Sequence, residues 1–244
     1  ATGEPGLATA RRTADLVAAT LGCESADVLV ASTGVIGQEL DFSPFETGVP
    51  TAAEALAATP EAAHDAACAV MTTDTVPKEA SFVGKLPASD GSAYEVHVGG
   101  FVKGSGMIQP NMATMLCVMS TDAPLTSEAA HEALLYAVKQ TFNKVTVDSD
   151  TSTNDTAILL ATGKAAPAGE SVGVDSAAFP AISAAIKAVC GKDFPVALRY
   201  SVVSKTKGFG QGAVPGEEFV EFGRDMAESE KAIKYLGDAG YDMF

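Results

Sequence analysis

Histidine is scarce in this 244-residue chain, with three in all (His64, His97 and His131), and none lies in the polar clusters described below. That removes the usual base of a serine-histidine-aspartate system. Cysteine is limited to Cys23, Cys68, Cys117 and Cys190, widely spread and without paired spacing. This pattern suits reduced, buried thiols of a cytoplasmic protein rather than a disulfide framework or zinc site. His64 and Cys68 are spaced to share a helix face, but a second ligand pair for a metal is missing. Basic residues are few, 16 Lys and Arg against 31 Asp and Glu, and the net charge of −15 argues against nucleic acid or an anionic membrane as partner. No run reaches the roughly 18 unbroken apolar residues of a membrane span, and no export signal is read at the start. Phosphate-loop readings are weak. "KGSGM" lacks the G-x-x-x-x-G-K-[ST] order, and "GFGQGAV" lacks G-x-G-x-x-G after a strand. A small-molecule enzyme fits these exclusions.

What is present is a mixture of helical and strand patterns. Leu7, Ala10, Ala14, Val17 and Leu21 predict a helix stopped at Gly22. "DVLVAS" (27–32) reads as a buried strand. An alanine-rich helical stretch is expected over about 51–71, interrupted at Pro60. "AYEVHVGGFVKG", "MLCVMSTDA", "KVTVDSD" and "TAILLATG" read as strands, and Ala130, Leu134, Val138 and Phe142 mark a further amphipathic helix. The expected class is α/β, or α+β in layers.

Threonine concentrates in four polar clusters: "STGVIG" (32–37), "MTTDT" (71–75), "KGSGMIQPNMATML" (103–116) and "DSDTSTNDT" (148–156). Singly, each also reads as caps and turns. Together they suggest chemistry that does without histidine. A threonine can be a nucleophile if a free terminal amine is its base. An internal threonine gains that amine when the preceding peptide bond breaks. The Gly- and Pro-containing approach to Thr114, with small Ala113 before it, suits such a cleavage: the Thr114 hydroxyl attacks the Ala113 carbonyl and water then releases the acyl chain. "STGVIG" can supply an oxyanion hole from the Thr33 hydroxyl and the Gly34 N–H. Lys103 can hold a substrate carboxylate, although a surface lysine is the plainer reading in isolation.

"ATGEPGLATARRTADLVA", "VLVASTGVIG", "MTTDTVPKEA", "GGFVKGSGMIQPNMATML" and "VDSDTSTNDTAILLATG" resemble, in order and spacing, the glutamate N-acetyltransferase (ornithine acetyltransferase) family of arginine biosynthesis. The resemblance covers residues 1–182. It implies acetyl transfer from N-acetylornithine to glutamate, in some members also from acetyl-CoA, through an acetyl-threonine intermediate. No cofactor is implied beyond acetyl-CoA as a substrate. It further implies self-cleavage between Ala113 and Thr114 into α and β chains that stay together in an oligomer. The implied roles are Thr114 as nucleophile, Thr33 and Gly34 as oxyanion hole, and Lys103 with Thr72 or Thr73 as substrate contacts. The implied fold is a layered α/β arrangement around paired sheets, partial in this chain, of the N-terminal-nucleophile kind. The family's later "DGEGATK" stretch is absent.

Residues 183–244 differ in character. Eight of the 16 basic residues but only one of 21 threonines, Thr206, fall after residue 180, which marks a change of domain or of origin. Residues 184–244 resemble the old yellow enzyme and 2-enoate reductase family, where "FPVALRYS" is a barrel strand and Arg199 a flavin contact. A strand, a loop and a helix are too small to close a barrel or bind flavin alone. The strand "FPVAL" is expected to lack parallel neighbours of its own, so that it joins the first unit's sheet or stays an open edge. Few contacts with the threonine clusters and poor solubility follow from that. The alternative readings are a hydrolase using the same Thr114, and an inactive or partly folded fragment of the transferase.

Overall fold

The computed structural model describes residues 2–35, 37–106, 108, 115–145 and 152–191, together with the backbone of 197–198 and 242–243. Helix α1 spans Gly3–Leu21 and closes as expected: Gly22 adopts a left-handed conformation (φ 73°) and donates its N–H to the Ala18 carbonyl at 2.8 Å. Helix α2 spans Ser43–Glu54 and packs against α1, where Arg12 lies 3.7 Å over the Phe42 ring and pairs with Glu46 at 2.5 Å. Helix α3 spans Pro60–Ala69. The helical stretch expected from about residue 51 is therefore two helices, the first beginning earlier and carrying Pro50 inside it. Pro60 does not interrupt a helix but starts one. The first turn has no use for its missing N–H, and the Thr59 hydroxyl accepts the Ala62 N–H at 3.2 Å as a cap.

A strand is not formed at 27–32. A short 3-10 turn occupies Ser25–Asp27, and residues 28–32 run beside α1 without a sheet partner. Leu29 is 65% exposed there. An apolar run becomes a strand only where a ladder receives it, and here the segment lines a cavity of about 230 Å3 with Thr13, Val17 and Phe45.

Four strands form one mixed sheet in the order of the chain: β1 Lys78–Pro87, β2 Ala93–Lys103, β3 Leu116–Thr121 and β4 Thr156–Ala161. The first three are antiparallel, and β4 lies parallel to β3. A parallel neighbour needs a crossover. Helix α4, Ser127–Gln140, lies within it, capped by the Thr126 hydroxyl accepting the Ala129 N–H at 3.1 Å, with Glu128 in its first turn and Lys139 in its last. Much of the expected strand "KVTVDSD" lies outside the described residues. Helix α5, Phe179–Gly191, packs on α4 and β1 and runs through the change of composition near residue 180.

Alternation along the strands separates two faces. Val96, Val98, Val102, Cys117 and Met119 point to the side covered by α4 and α5, where Ala133, Ala137, Ile182, Ile186 and Val189 complete the core. The opposite face carries Glu79, Ser81, His97, Phe101, Val118, Ile158 and Leu160. Two cysteines are buried as expected. Burial pushes the Cys117 thiol up strongly and the Cys190 thiol to about 12, and Cys190 Sγ sits 3.4 Å from Met119 Sδ. The other two are not, since Cys23 and Cys68 are exposed. Among the described residues no helix is long and apolar enough to cross a membrane.

The tail also departs from expectation. Ala197–Leu198 (β5) pairs in parallel with Asp242–Met243 (β6), so the last two residues of "FPVAL" have a parallel neighbour of the tail's own, and among the described residues the pair is separate from the four-stranded sheet. Arg199 and the "GEEFVE" acids lie outside the described residues.

Of the described glycines, Gly100 has the least room for a side chain. A Cβ there would come within 2.3 Å of the Val118 carbonyl oxygen and 2.8 Å of Met119 Cα, both backbone atoms that cannot swing away. Gly100→Ala is expected to destabilise the fold by about 1–3 kcal/mol, read as a lowered urea midpoint; an unchanged midpoint would contradict the strand spacing.

Candidate active site at one end of the sheet

The strand order brings the polar clusters together. "MTTDT" ends three residues before β1 begins, "KGSG" starts at the end of β2, "NMATM" runs into β3, and "NDT" runs into β4. All four chain ends lie at the same edge of the sheet. Lys78 pairs with Val102, Lys103 with Leu116, and Leu116 with Thr156. The fourth cluster, "STGVIG", reaches this edge through one bond: Lys103 Nζ donates to Thr33 Oγ1 at 2.6 Å, across 70 residues of sequence.

Lys103 is 3% exposed. Burial holds its ammonium below the usual lysine range, and the Asp74 carboxylate pulls it partway back. It is not the surface lysine that its sequence position allows. Gly34 follows Thr33 closely packed, its missing Cβ facing Leu40 Cδ2 at 3.1 Å.

Asp74 joins two clusters. Its side chain is 1% exposed, and it receives the Gly104 N–H at 2.8 Å, the Thr72 N–H at 3.4 Å and the ammonium of Lys78. Lys78 also donates to the Gly104 carbonyl at 3.2 Å. Gly104 has φ 148°, a backbone that side chains rarely adopt, so the sequence needs glycine where the chain folds onto Asp74. Burial raises the Asp74 carboxyl, but Lys78 and the Gly104 N–H outweigh it and leave the group below its ordinary value. Thr73 Oγ1 and Ser105 Oγ are 2.5 Å apart, a second tie between the same loops. Of the two threonines proposed as substrate contacts, Thr73 thus has a partner for its hydroxyl, and Thr72 uses its N–H.

Met115 is held from both sides by the last cluster. Its N–H donates to Asp155 Oδ1 at 2.9 Å, and its carbonyl accepts the Thr156 N–H at 3.0 Å. The second carboxylate oxygen of Asp155 is buried with no hydrogen-bond partner among the described residues, and burial raises this carboxyl despite the Met115 N–H. Thr114 and Ala113 lie outside the described residues, immediately before this pinned methionine in the chain.

Asp74, Lys78, Ser105 and Asp155 escaped the sequence reading. Asp74 and Lys78 carried a weak signal in their spacing of four across a Pro-containing turn. Asp155 carried none beyond its place beside a strand. Among the described residues no three His, Cys, Asp or Glu side chains are grouped to hold a metal ion.

An α/β protein with a buried lysine and several polar loops meeting at one edge of a mixed sheet has the build of an enzyme site. The chain belongs to the ArgJ family, whose model matches residues 1–194. It is 48% identical over 162 residues to the arginine biosynthesis bifunctional protein ArgJ of Bifidobacterium longum, covering 66% of this chain and 39% of that one. To the protein of the same name from Nitrobacter winogradskyi it is 44% identical over 190 residues, 78% of this chain and 44% of that one. The chain thus spans about two-fifths of the length of these curated relatives. A solved structure of the Bacillus halodurans protein argJ is 38% identical, with a TM-score of 0.37, covering 47% of this chain and 55% of that chain. These comparisons lend no support to the flavin-enzyme resemblance of the tail.

The Asp74 carboxylate should make the site acid-sensitive. Its depressed pKa contributes stability that is present above the unfolded value of about 3.9 and lost as pH falls through the folded one. Asp74→Asn is expected to cost about 3–5 kcal/mol at pH 7, because Lys78 loses its counter-charge. In urea titrations from pH 7 to pH 2, the gap between wild type and Asp74→Asn should narrow as pH falls below about 4. A gap independent of pH would contradict an ionised Asp74.

Proposed function

We propose that this chain carries the acyl-transfer centre of a glutamate N-acetyltransferase, moving an acetyl group from N-acetylornithine to glutamate through an ester on Thr114. The observation that carries this reading is the Lys103–Thr33 bond. A hydroxyl has one hydrogen to give and lone pairs to accept with. Because Thr33 Oγ1 accepts from the ammonium, its own hydrogen is left to donate, and the nearby cation strengthens it as a donor. That is what an oxyanion-hole hydroxyl requires, with the Gly34 N–H as its companion.

The sequence of steps follows. Thr114 Oγ attacks the Ala113 carbonyl, the peptide C–N bond breaks, and the acyl chain passes from nitrogen to oxygen. Water hydrolyses that ester, leaving a chain that ends at Ala113 and another that begins with the free amine of Thr114. The amine takes the Thr114 hydroxyl proton as the oxygen attacks the acetyl carbonyl of N-acetylornithine. Thr33 and Gly34 stabilise the oxyanion, and the ornithine nitrogen leaves with the proton. The amine of glutamate then attacks the acetyl ester, releasing Thr114. Lys103 acts here as the group that orients Thr33, with its remaining ammonium hydrogens toward a substrate carboxylate. Thr72 or Thr73 adds a contact. Acetyl-CoA is an alternative acetyl donor, and no other cofactor is required.

We place the protein in the cytoplasm, as α and β chains that stay together in an oligomer. The N-terminal-nucleophile fold implies that this sheet is one of a pair in a layered arrangement. The family match runs to residue 194, so of the segment 183–244 we read only residues 195–244 as of foreign origin, resembling part of a flavin oxidoreductase barrel.

Intact mass of the purified chain tests the reading. The wild type is expected to split between Ala113 and Thr114, and Thr114→Ala to remain whole. Thr33→Ala should slow splitting by about 10²–10³. Splitting of Thr114→Ala at the same bond would overturn the assignment of the nucleophile. A wild-type chain that stays whole would favour the alternative of an inactive or partly folded fragment.

A further inference from the structure

A second nucleophile stands away from the threonine site. His64 and Cys68 lie one turn apart on α3, and Cys68 Sγ is 3.5 Å from His64 Nε2. The other ring nitrogen, Nδ1, is 2.6 Å from Glu79 Oε1 on β1. An ionised carboxylate can only accept, so Glu79 requires the hydrogen on Nδ1. That fixes the neutral tautomer, and Nε2 is left as an acceptor facing the thiol. The Glu79 hydrogen bond and then its charge raise the imidazole above its usual value, against a smaller opposing effect of burial. Thiol, base and orienting carboxylate stand in the order that activates a nucleophile. Among the described residues the other exposed thiol, Cys23, has no such array recorded around it, and Cys117 and Cys190 are buried.

The surroundings leave room for a reagent. The His64–Glu79 pair is exposed at the surface of α3 and β1. Cys68 is itself exposed to solvent.

We infer that Cys68 is a base-activated thiol, a modification site for soft carbon electrophiles that is distinct from the acyl-transfer centre. In the step, the thiol proton passes to His64 Nε2 and the sulfur electron pair attacks the electrophilic carbon. A C–S bond forms, the carbon–leaving-group bond breaks with its electron pair, and the imidazolium returns its proton to solvent. No oxidant or metal takes part.

Iodoacetamide, limiting and at pH 7, tests this on the whole chain, with alkylation of each cysteine followed by peptide mass spectrometry. Cys23 is the internal reference. Cys68 is expected to react at least fivefold faster than Cys23 in the native protein, and the two should converge in 8 M urea. His64→Ala should bring Cys68 to within twofold of Cys23, and Glu79→Gln should slow Cys68 at least twofold while Cys23 is unchanged. A native ratio below fivefold overturns the proposal, as does a His64→Ala protein in which Cys68 keeps its rate. An unchanged rate in Glu79→Gln removes the orienting role from Glu79. None of these readouts depends on self-cleavage or acetyl transfer, so the proposal stands or falls apart from the assignment of Thr114.

Discussion

The arrangement of the site depends on one buried carboxylate. Asp74 sits between two loops that the sheet brings near each other but does not itself join. Without it, "MTTDT" and "KGSG" would be two loops at neighbouring strand ends, each free to satisfy its backbone with water. With it, the Gly104 N–H, the Thr72 N–H and the Lys78 ammonium converge on a side chain that is 1% exposed. The cost of burying that charge is offset by three donors, an arrangement that is stable only when complete. Lys103 adjoins Gly104 in the chain, so the fixing of Gly104 is also what settles the lysine against Thr33.

The sheet supplies the rest by topology. Because β2 runs into β3 antiparallel, and β4 lies parallel to β3, the end of β2 and the beginnings of β1, β3 and β4 share one edge. Loops far apart in sequence therefore meet without any long excursion. α4 and α5 cover a single face of the sheet with an alanine-rich, closely packed interior, and this rigid layer carries the loops. The same arrangement leaves the second face partly open, with the α3 histidine and cysteine beside it.

How much of this was legible varies with the kind of signal. α1, α4, β2 and β4 followed from unbroken periodicity and clear stops. β1 was missed because "KEASFVGKLP" mixes charge, glycine and apolar residues on both faces. It is an edge strand whose pattern is set by its one partner rather than by burial. Residues 28–32 failed the opposite way, with strand-forming side chains and no ladder to join. In the site, threonine clustering picked out loops that the sheet brings to one end, and Lys103 and Thr33 are in contact there. The residues that hold those loops, Asp74 and Asp155, were not readable. Single acids near turns are common, and what distinguishes these two is burial, which only the fold decides.

The claim on which the account turns is that the first threonine cluster and the end of β2 form one site. A double-mutant cycle of Thr33→Val and Lys103→Met, read as unfolding free energy in urea, tests it directly. The account predicts a coupling of about 1–3 kcal/mol between positions 70 residues apart, as expected for a buried charge-assisted hydrogen bond. Additive effects, within about 0.5 kcal/mol, would mean that the two side chains do not meet in solution and that the clusters are separate loops.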